Sequence, residues 1–423
     1  MKNILFLIFV LSSPFIISQN NYGAQIPSER DSIFSNFLNE ERAYQIYLPP
    51  SYFFNDKGNY PVVYLIDGDY NFNFDTALIE YLSNVSSKIP EMIVVGISDK
   101  GNANYKIDCT PTNASDKKGN ATNFMSFIDK ELKPYINKKY RISPYSMLIG
   151  HSIGGLFVTN YLLENPASFD AFVAIDPALW WGDYEIIKRA DSIYKDKKEL
   201  GAKFYISLAD TKQMGVNQFV GVLDNYFPFE KDWTFNHYKN ENHGSVALPT
   251  IKDALLDIFK KWSISREDFY AFKSPKELIA YYKNISDEFN TEFTLSSYFF
   301  SNAIYYYFRT EKYSDLDSFE SEIKENFPNF LSEFYVILAQ NYLGNSNSEK
   351  AEDLYQKGIN ANPLSFKSYD GLSKVYFSKK EFQKAKEASL KALKLAKQVK
   401  VRQWQMNELV SNYDKIEAQI NKK

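Results

Sequence analysis

Six residues, Gly150-His151-Ser152-Ile153-Gly154-Gly155, constrain this chain more tightly than any other stretch. Tyr145-Ser146-Met147-Leu148-Ile149 before them reads as a short buried strand, and Leu156 to Leu163 after them reads as a helix. A chain that passes from buried strand to helix in so few residues must turn sharply, with Ser152 at the apex. Residues at such an apex are held in strained backbone conformations that folding alone does not demand. Side chains at Gly150 and Gly154 would collide with neighbouring backbone in so tight a turn. A serine in Gly-x-Ser-x-Gly spacing between strand and helix is presented as a nucleophile would be; the plain alternative is a tight glycine-rich turn.

The surrounding pattern sets the fold class. From about residue 42 to 263, short β-rich runs alternate with helical patterns, which predicts an α/β fold with a mostly parallel sheet flanked by helices. The expected strands are Ala43–Leu48, Pro61–Ile66, Met92–Ile97, the run before Gly150, Ala171–Ile175, Lys203–Leu208 and Trp233–Tyr238. A long polar loop is expected from about Asp99 to Asn120, then a helix over Asn123–Ile136, and a closing helix over Val246–Trp262. Past about Ser265 the β signal stops. Ser274-Pro275-Lys276-Glu277 has a helix-start signature. Tyr335, Leu338, Ala339, Tyr342, Ala351, Tyr355 and Gly358 recur 34 residues later as Tyr369, Leu372, Ser373, Tyr376, Ala385, Ser389 and Ala392. Phe300, Ala303, Tyr307 and Pro328 form a degenerate unit one period earlier. Helix pairs with small residues at this period resemble tetratricopeptide repeats. The aromatic run Tyr305-Tyr306-Tyr307-Phe308 reads as packing knobs between stacked helices, with a ligand groove as the alternative.

A chain of 423 residues calls for more than one domain. The expected division is a leader over 1–19, an α/β domain over 20–265, a helical repeat domain over 266–400 and a helical tail over 401–423. Lys2 and the apolar run Ile4 to Ile17, followed by Ser18-Gln19, read as an export signal, so the mature protein is expected to be periplasmic or secreted. Pro14 and the short length argue against a stable membrane span. A net charge of −3 offers no footprint for nucleic acid. Cys109 is the only cysteine, so no internal disulfide forms. Three scattered histidines and no phosphate cradle point to neither a metal nor a cofactor.

The strand–serine–helix unit resembles the nucleophile elbow of α/β-hydrolases, in which the nucleophile is followed in the chain by an acid and then a histidine. That order eliminates His151. His237 lies inside an expected strand, whereas His243 lies in the polar loop Asn240–Ser245 and is the expected base. Asp210, the first carboxylate past the strand ending at Leu208, is the expected acid, with Asp224 and Glu241 as competitors. Two backbone N–H groups should face the developing oxyanion. The expected pair is that of Ile153 and that of Asp69, the latter presented by the turn Asp67-Gly68.

Further segments carry a family resemblance: Ile46–Tyr52, Tyr60–Gly68, Asp108-Cys109-Thr110-Pro111, Gly150–Gly155, Asp176–Trp181 and His243-Gly244-Ser245. In this order they resemble the esterase D and enterobactin esterase-like branch of α/β-hydrolases, which includes salmochelin and feruloyl esterases and mycolyltransferases. The resemblance implies Ser152 as nucleophile, His243 as base, the Ile153 and Asp69 amides as oxyanion hole, and Trp180 and Trp181 near the acyl pocket. Family members often carry an arginine shortly before the Asp-x-Thr-Pro segment; Tyr105 and Lys106 occupy that neighbourhood here. The expectation is an exported serine esterase acting on a small-molecule or oligosaccharide ester. Its repeats would cap the active-site edge or dock a protein partner. An inert scaffold and an acyltransferase using the same residues are the alternatives.

Overall fold

A computed structural model describes residues 28–53, 55, 57–66, 68–112, 119–228, 232–293, 295, 297–399 and 401–421. The leader read in residues 1–19 and Asp67 lie outside the described residues. Eight strands form one sheet: β1 (Ser28–Ser35), β2 (Glu40–Tyr47), β3 (Tyr60–Leu65), β4 (Ile93–Ile97), β5 (Ile142–His151), β6 (Ala171–Ile175), β7 (Lys203–Ala209) and β8 (Trp233–Tyr238). Their order is β1-β2-β4-β3-β5-β6-β7-β8. β2 runs antiparallel to β1 and β4, and every other neighbouring pair is parallel. β3, β4 and β6 are buried along their whole length, because helices cover both faces. The parallel strands bring all their C-terminal ends to one edge, and the loops there build the site.

Two elements differ from the sequence reading, each for a physical reason. β1 has the polar sequence SERDSIFS and is largely solvent-facing at the sheet edge, so it carries no buried-strand signature. The stretch read as a loop from Asp99 to Asn120 contains the helix Asn102–Cys109, whose polar face masks it. The helix Ile153–Glu164 is buried from Ile153 through Leu163, which explains its nearly continuous apolar sequence.

Beyond residue 265 the elements among the described residues are all helices. Ser265 caps the short helix Arg266–Ala271, and Ser274 caps Pro275–Glu288 with Pro275 in the first turn. Three antiparallel pairs follow: Ser297–Arg309 with Tyr313–Asn326, Leu331–Gly344 with Ser348–Ala361, and Phe366–Ser378 with Phe382–Gln398. Gln403–Ile420 closes the array. Ala339, Ala351, Ser373, Ala385 and Ala392 are all buried where helices cross, which is the structural content of the 34-residue period. The aromatic run divides: Tyr307 is buried and Phe308 packs edge-on to Tyr342, whereas Tyr305 is exposed. Among the described residues, no helix is long and apolar enough to cross a membrane.

The repeats pack at the end of the sheet opposite the site-building edge, so they do not cap it as expected. Tyr145, in the N-terminal half of β5, meets Phe259 and Phe289 at 5.8 and 5.0 Å between ring centroids. Its N–H donates to Thr291 Oγ1 at 3.3 Å. Tyr282 Oη donates to the Trp262 carbonyl, Lys88 to Ser263 Oγ, and Arg402 pairs with Glu80. One hydrophobic cluster runs from β3 and β5 through Phe259 and Trp262 into the repeats. Phe289 sits at its neck, stacked on Phe259 at 5.3 Å and edge-on to Phe293 at 5.3 Å. Replacing Phe289 with Ala is therefore expected to cost about 3–5 kcal/mol in urea unfolding, with both regions still melting together.

Candidate active site

Ser152 terminates β5 in a strained conformation, with φ 57° and ψ −114°. The neighbouring backbone explains why glycine precedes it: a Cβ at Gly150 would lie 2.5 Å from the Gly154 carbonyl oxygen. The apex is held from β6, as the Ser152 N–H donates to the Ile175 carbonyl at 2.9 Å and the Ala178 N–H to the Ser152 carbonyl at 2.9 Å.

His243 Nε2 lies 3.0 Å from Ser152 Oγ, and His243 Nδ1 lies 2.6 Å from Asp176 Oδ2. Asp176 is fully buried, directly past β6. Burial alone would push its carboxyl up. The hydrogen bonds from His243, the Ala209 N–H (3.1 Å) and Thr211 Oγ1 (2.9 Å) outweigh that and hold it below the usual carboxylate range. An ionised carboxylate only accepts, so Nδ1 carries the imidazole proton and Nε2 is left to accept from the Ser152 hydroxyl. This is the arrangement in which a histidine can take a serine's proton.

The expected acid, Asp210, is not part of this chain. Its side chain is exposed, while its N–H donates to the Glu241 carbonyl at 2.8 Å and ties the His243 loop to the end of β7. The carboxylate that meets His243 comes one strand earlier than expected, after β6, which pairs with the strand that leads into Ser152. The signal was available in Asp176-Pro177, a carboxylate directly after a wholly apolar strand. Of the other competitors, Glu241 Oε2 accepts from Ser245 Oγ at 2.5 Å within the loop. Asn242 Oδ1 accepts from the N–H groups of Gly244 and Ser245, fixing the turn that carries His243. His237 points outward from β8 and is exposed.

Ile153 and Asp69 both stand in the first turn of helices, Ile153–Glu164 and Gly68–Glu80, where N–H groups have no intrahelical acceptor. A Cβ on Gly68 would lie 2.5 Å from the Gly96 carbonyl carbon, so only glycine lets this helix start against β4. The Asp69 carboxylate accepts from Ser98 Oγ (2.7 Å) and the Asp99 N–H (2.8 Å), which fixes its backbone. Trp180 and Trp181 follow Asp176 at the same edge; Trp180 is 43 % exposed and Trp181 is partly buried against the core. Among the described residues, no group of three or more His, Cys, Asp or Glu is placed to hold a metal ion.

His151, which chain order excludes as the base, packs its ring against His243 at 4.6 Å between centroids. Burial, helped by the neighbouring His243, pushes its pKa down to about 4. The folded protein therefore keeps His151 neutral where the unfolded chain would protonate it. The stability this represents is complete above the unfolded value of 6.5 and is lost as pH falls toward about 4. A His151→Gln variant is expected to lose less stability than the parent over that interval in pH-dependent urea melts. Asp176→Asn is expected to lower the hydrolysis of a p-nitrophenyl ester by about 10³–10⁴-fold, and Asp210→Asn by less than about twofold.

The parallel sheet, the strained serine and the serine–histidine–carboxylate chain define a protein of α/β-hydrolase type. Residues 35–207 match the family described as "Putative esterase", and residues 366–399 match a tetratricopeptide repeat. Residues 35–207 are thus similar to that esterase family, and the helices that follow the sheet include a match to the tetratricopeptide repeat. Among curated proteins it is 29 % identical over 190 residues to the ferri-bacillibactin esterase BesA of Bacillus subtilis, covering 40 % of this chain and 66 % of that one. It is also 29 % identical over 209 residues to the siderophore triacetylfusarinine C esterase of Aspergillus fumigatus, covering 47 % and 68 %. An IroE-like serine hydrolase from Shewanella oneidensis shares 27 % identity at a TM-score of 0.56, over 67 % of this chain and 95 % of that one. An uncharacterised protein from Capnocytophaga ochracea aligns over 93 % of this chain and all of its own length, at 16 % identity and a TM-score of 0.50, which shows a likeness of fold.

Proposed function

We propose that the protein is an exported serine esterase that cleaves siderophore-type esters through an acyl-enzyme on Ser152. The observation that carries this reading is the continuous chain Ser152 Oγ–His243–Asp176, at 3.0 and 2.6 Å, on a strained elbow. His243 Nε2 takes the hydroxyl proton as Ser152 Oγ attacks the ester carbonyl. Asp176, held ionised, keeps Nδ1 protonated and stabilises the imidazolium. The amides of Ile153 and Asp69 meet the negative charge on the carbonyl oxygen. His243 returns the proton to the leaving alcohol, and the acyl group stays on Ser152. A water then repeats the sequence, releasing the acid and restoring the serine.

The substrate class rests on the two curated relatives, one named a ferri-bacillibactin esterase and the other a siderophore triacetylfusarinine C esterase. Trp180, exposed in the segment that follows Asp176, offers an aromatic surface for the acyl part at the same edge of the sheet. Export rests on the leader-like composition of residues 1–19. The repeats pack away from the nucleophile, so a protein docked on them leaves the ester site open. The test is hydrolysis of a panel of ferric and metal-free siderophore esters beside a short p-nitrophenyl ester. The parent is expected to cleave siderophore esters and to be labelled by a fluorophosphonate probe, and Ser152→Ala to do neither. Full activity in Ser152→Ala would overturn the proposal.

A further inference from the structure

The elbow is held by a residue that the proposed chemistry does not use. Tyr105 projects from the helix Asn102–Cys109, and its hydroxyl sits between two backbone groups on either side of the nucleophile. Tyr105 Oη donates to the His151 carbonyl at 2.9 Å and accepts from the Gly154 N–H at 2.7 Å. One oxygen thus closes a bridge across Ser152, from the last residue of β5 to the first turn of the following helix.

Both halves of the bridge matter physically. Ser152 lies at φ 57° and ψ −114°, a conformation that a serine holds only when its surroundings enforce it. The first turn of the helix also offers several N–H groups without intrahelical acceptors. The Tyr105 oxygen occupies the Gly154 N–H and leaves the neighbouring Ile153 N–H for the oxyanion. Only a group that donates and accepts can fill this position. A tyrosine hydroxyl does both, whereas lysine and arginine only donate.

The helix that carries Tyr105 is tied to β2 by a buried ion pair. Asp108, one turn along the same helix, pairs at 2.6 Å with Arg42, which comes from β2 and is 2 % exposed. Asp108 Oδ1 also accepts from Asn120 Nδ2 at 3.2 Å. Arg42 is further fixed by Glu40 at 2.6 Å, by the Ser98 carbonyl at 3.3 Å and by the face of Phe124 at 5.2 Å. A buried ion pair in the antiparallel part of the sheet is thereby linked through one helix to the nucleophile.

We infer that Tyr105 is a positioning residue, whose hydroxyl holds the Ser152 elbow and the Ile153 amide in the geometry the reaction needs. The inference rests on the esterase reading only for its kinetic readout; the bridge itself is testable without substrate. Tyr105→Phe removes one oxygen and retains the ring. It is expected to lower kcat on a p-nitrophenyl ester by about tenfold or more, since small displacements of reacting groups are costly, while KM changes by less than about twofold. Hydrogen exchange at the Gly154 amide is expected to speed up about tenfold or more, because its acceptor is gone. A fall in melting temperature with kcat unchanged would make Tyr105 merely structural and overturn the inference. A raised KM with unchanged kcat would make it a substrate contact and overturn it equally. If the parent proves inactive on every ester, the esterase proposal fails by itself, and the exchange rate at Gly154 decides this inference: unchanged exchange in Tyr105→Phe overturns it.

Discussion

A buried carboxylate that must stay ionised is the constraint on which the rest of this site depends. Asp176 is wholly removed from solvent, and an unpaired charge there would protonate instead. Its partners come from the neighbouring strand ends: the Ala209 N–H closes β7, Thr211 follows it, and His243 follows β8. Ser152 follows β5 and Asp176 follows β6, so four successive parallel strands each deliver one part of the constellation at the same edge. Parallel pairing of β5 through β8 is what brings together residues as far apart in the chain as 152 and 243.

The strained serine was legible because strain leaves a local signature, a serine among glycines between strand and helix. The histidine was legible by elimination, since a chain with three histidines allows few choices. The acid was not. An aspartate after a strand reads the same whether it closes a turn or orients a base, and the difference lies in the donors that fold back onto it. For Asp176 those donors are 33 to 67 residues away. Tyr105 stands out in the sequence only against the arginine that the family resemblance leads one to expect there, and its bridge to the elbow needs the helix Asn102–Cys109, which reads as loop from its polar sequence.

The helical region divides in the same way. Small residues recurring every 34 positions announced stacked helix pairs, because only small side chains fit where such helices cross. Their placement followed from no pattern. It is set by Tyr145, Phe259, Phe289 and Phe293, aromatic residues scattered along the chain that meet only in three dimensions. This packing joins the repeats to the N-terminal ends of the strands and leaves the edge bearing Ser152, Trp180 and Asp69 to the loops of the sheet region itself. Repeats and site are thus coupled through a shared core and not through a shared surface.

The central claim is that Ser152 forms a covalent acyl intermediate with His243 and Asp176 as its activating pair. Intact-mass and peptide mass spectrometry of enzyme quenched during turnover of a slowly released ester tests it most directly. The account predicts a mass increase equal to the acyl group on the peptide containing Ser152, accumulating in the parent and absent from Ser152→Ala. Turnover with no adduct at Ser152, or an adduct on another residue, would contradict it.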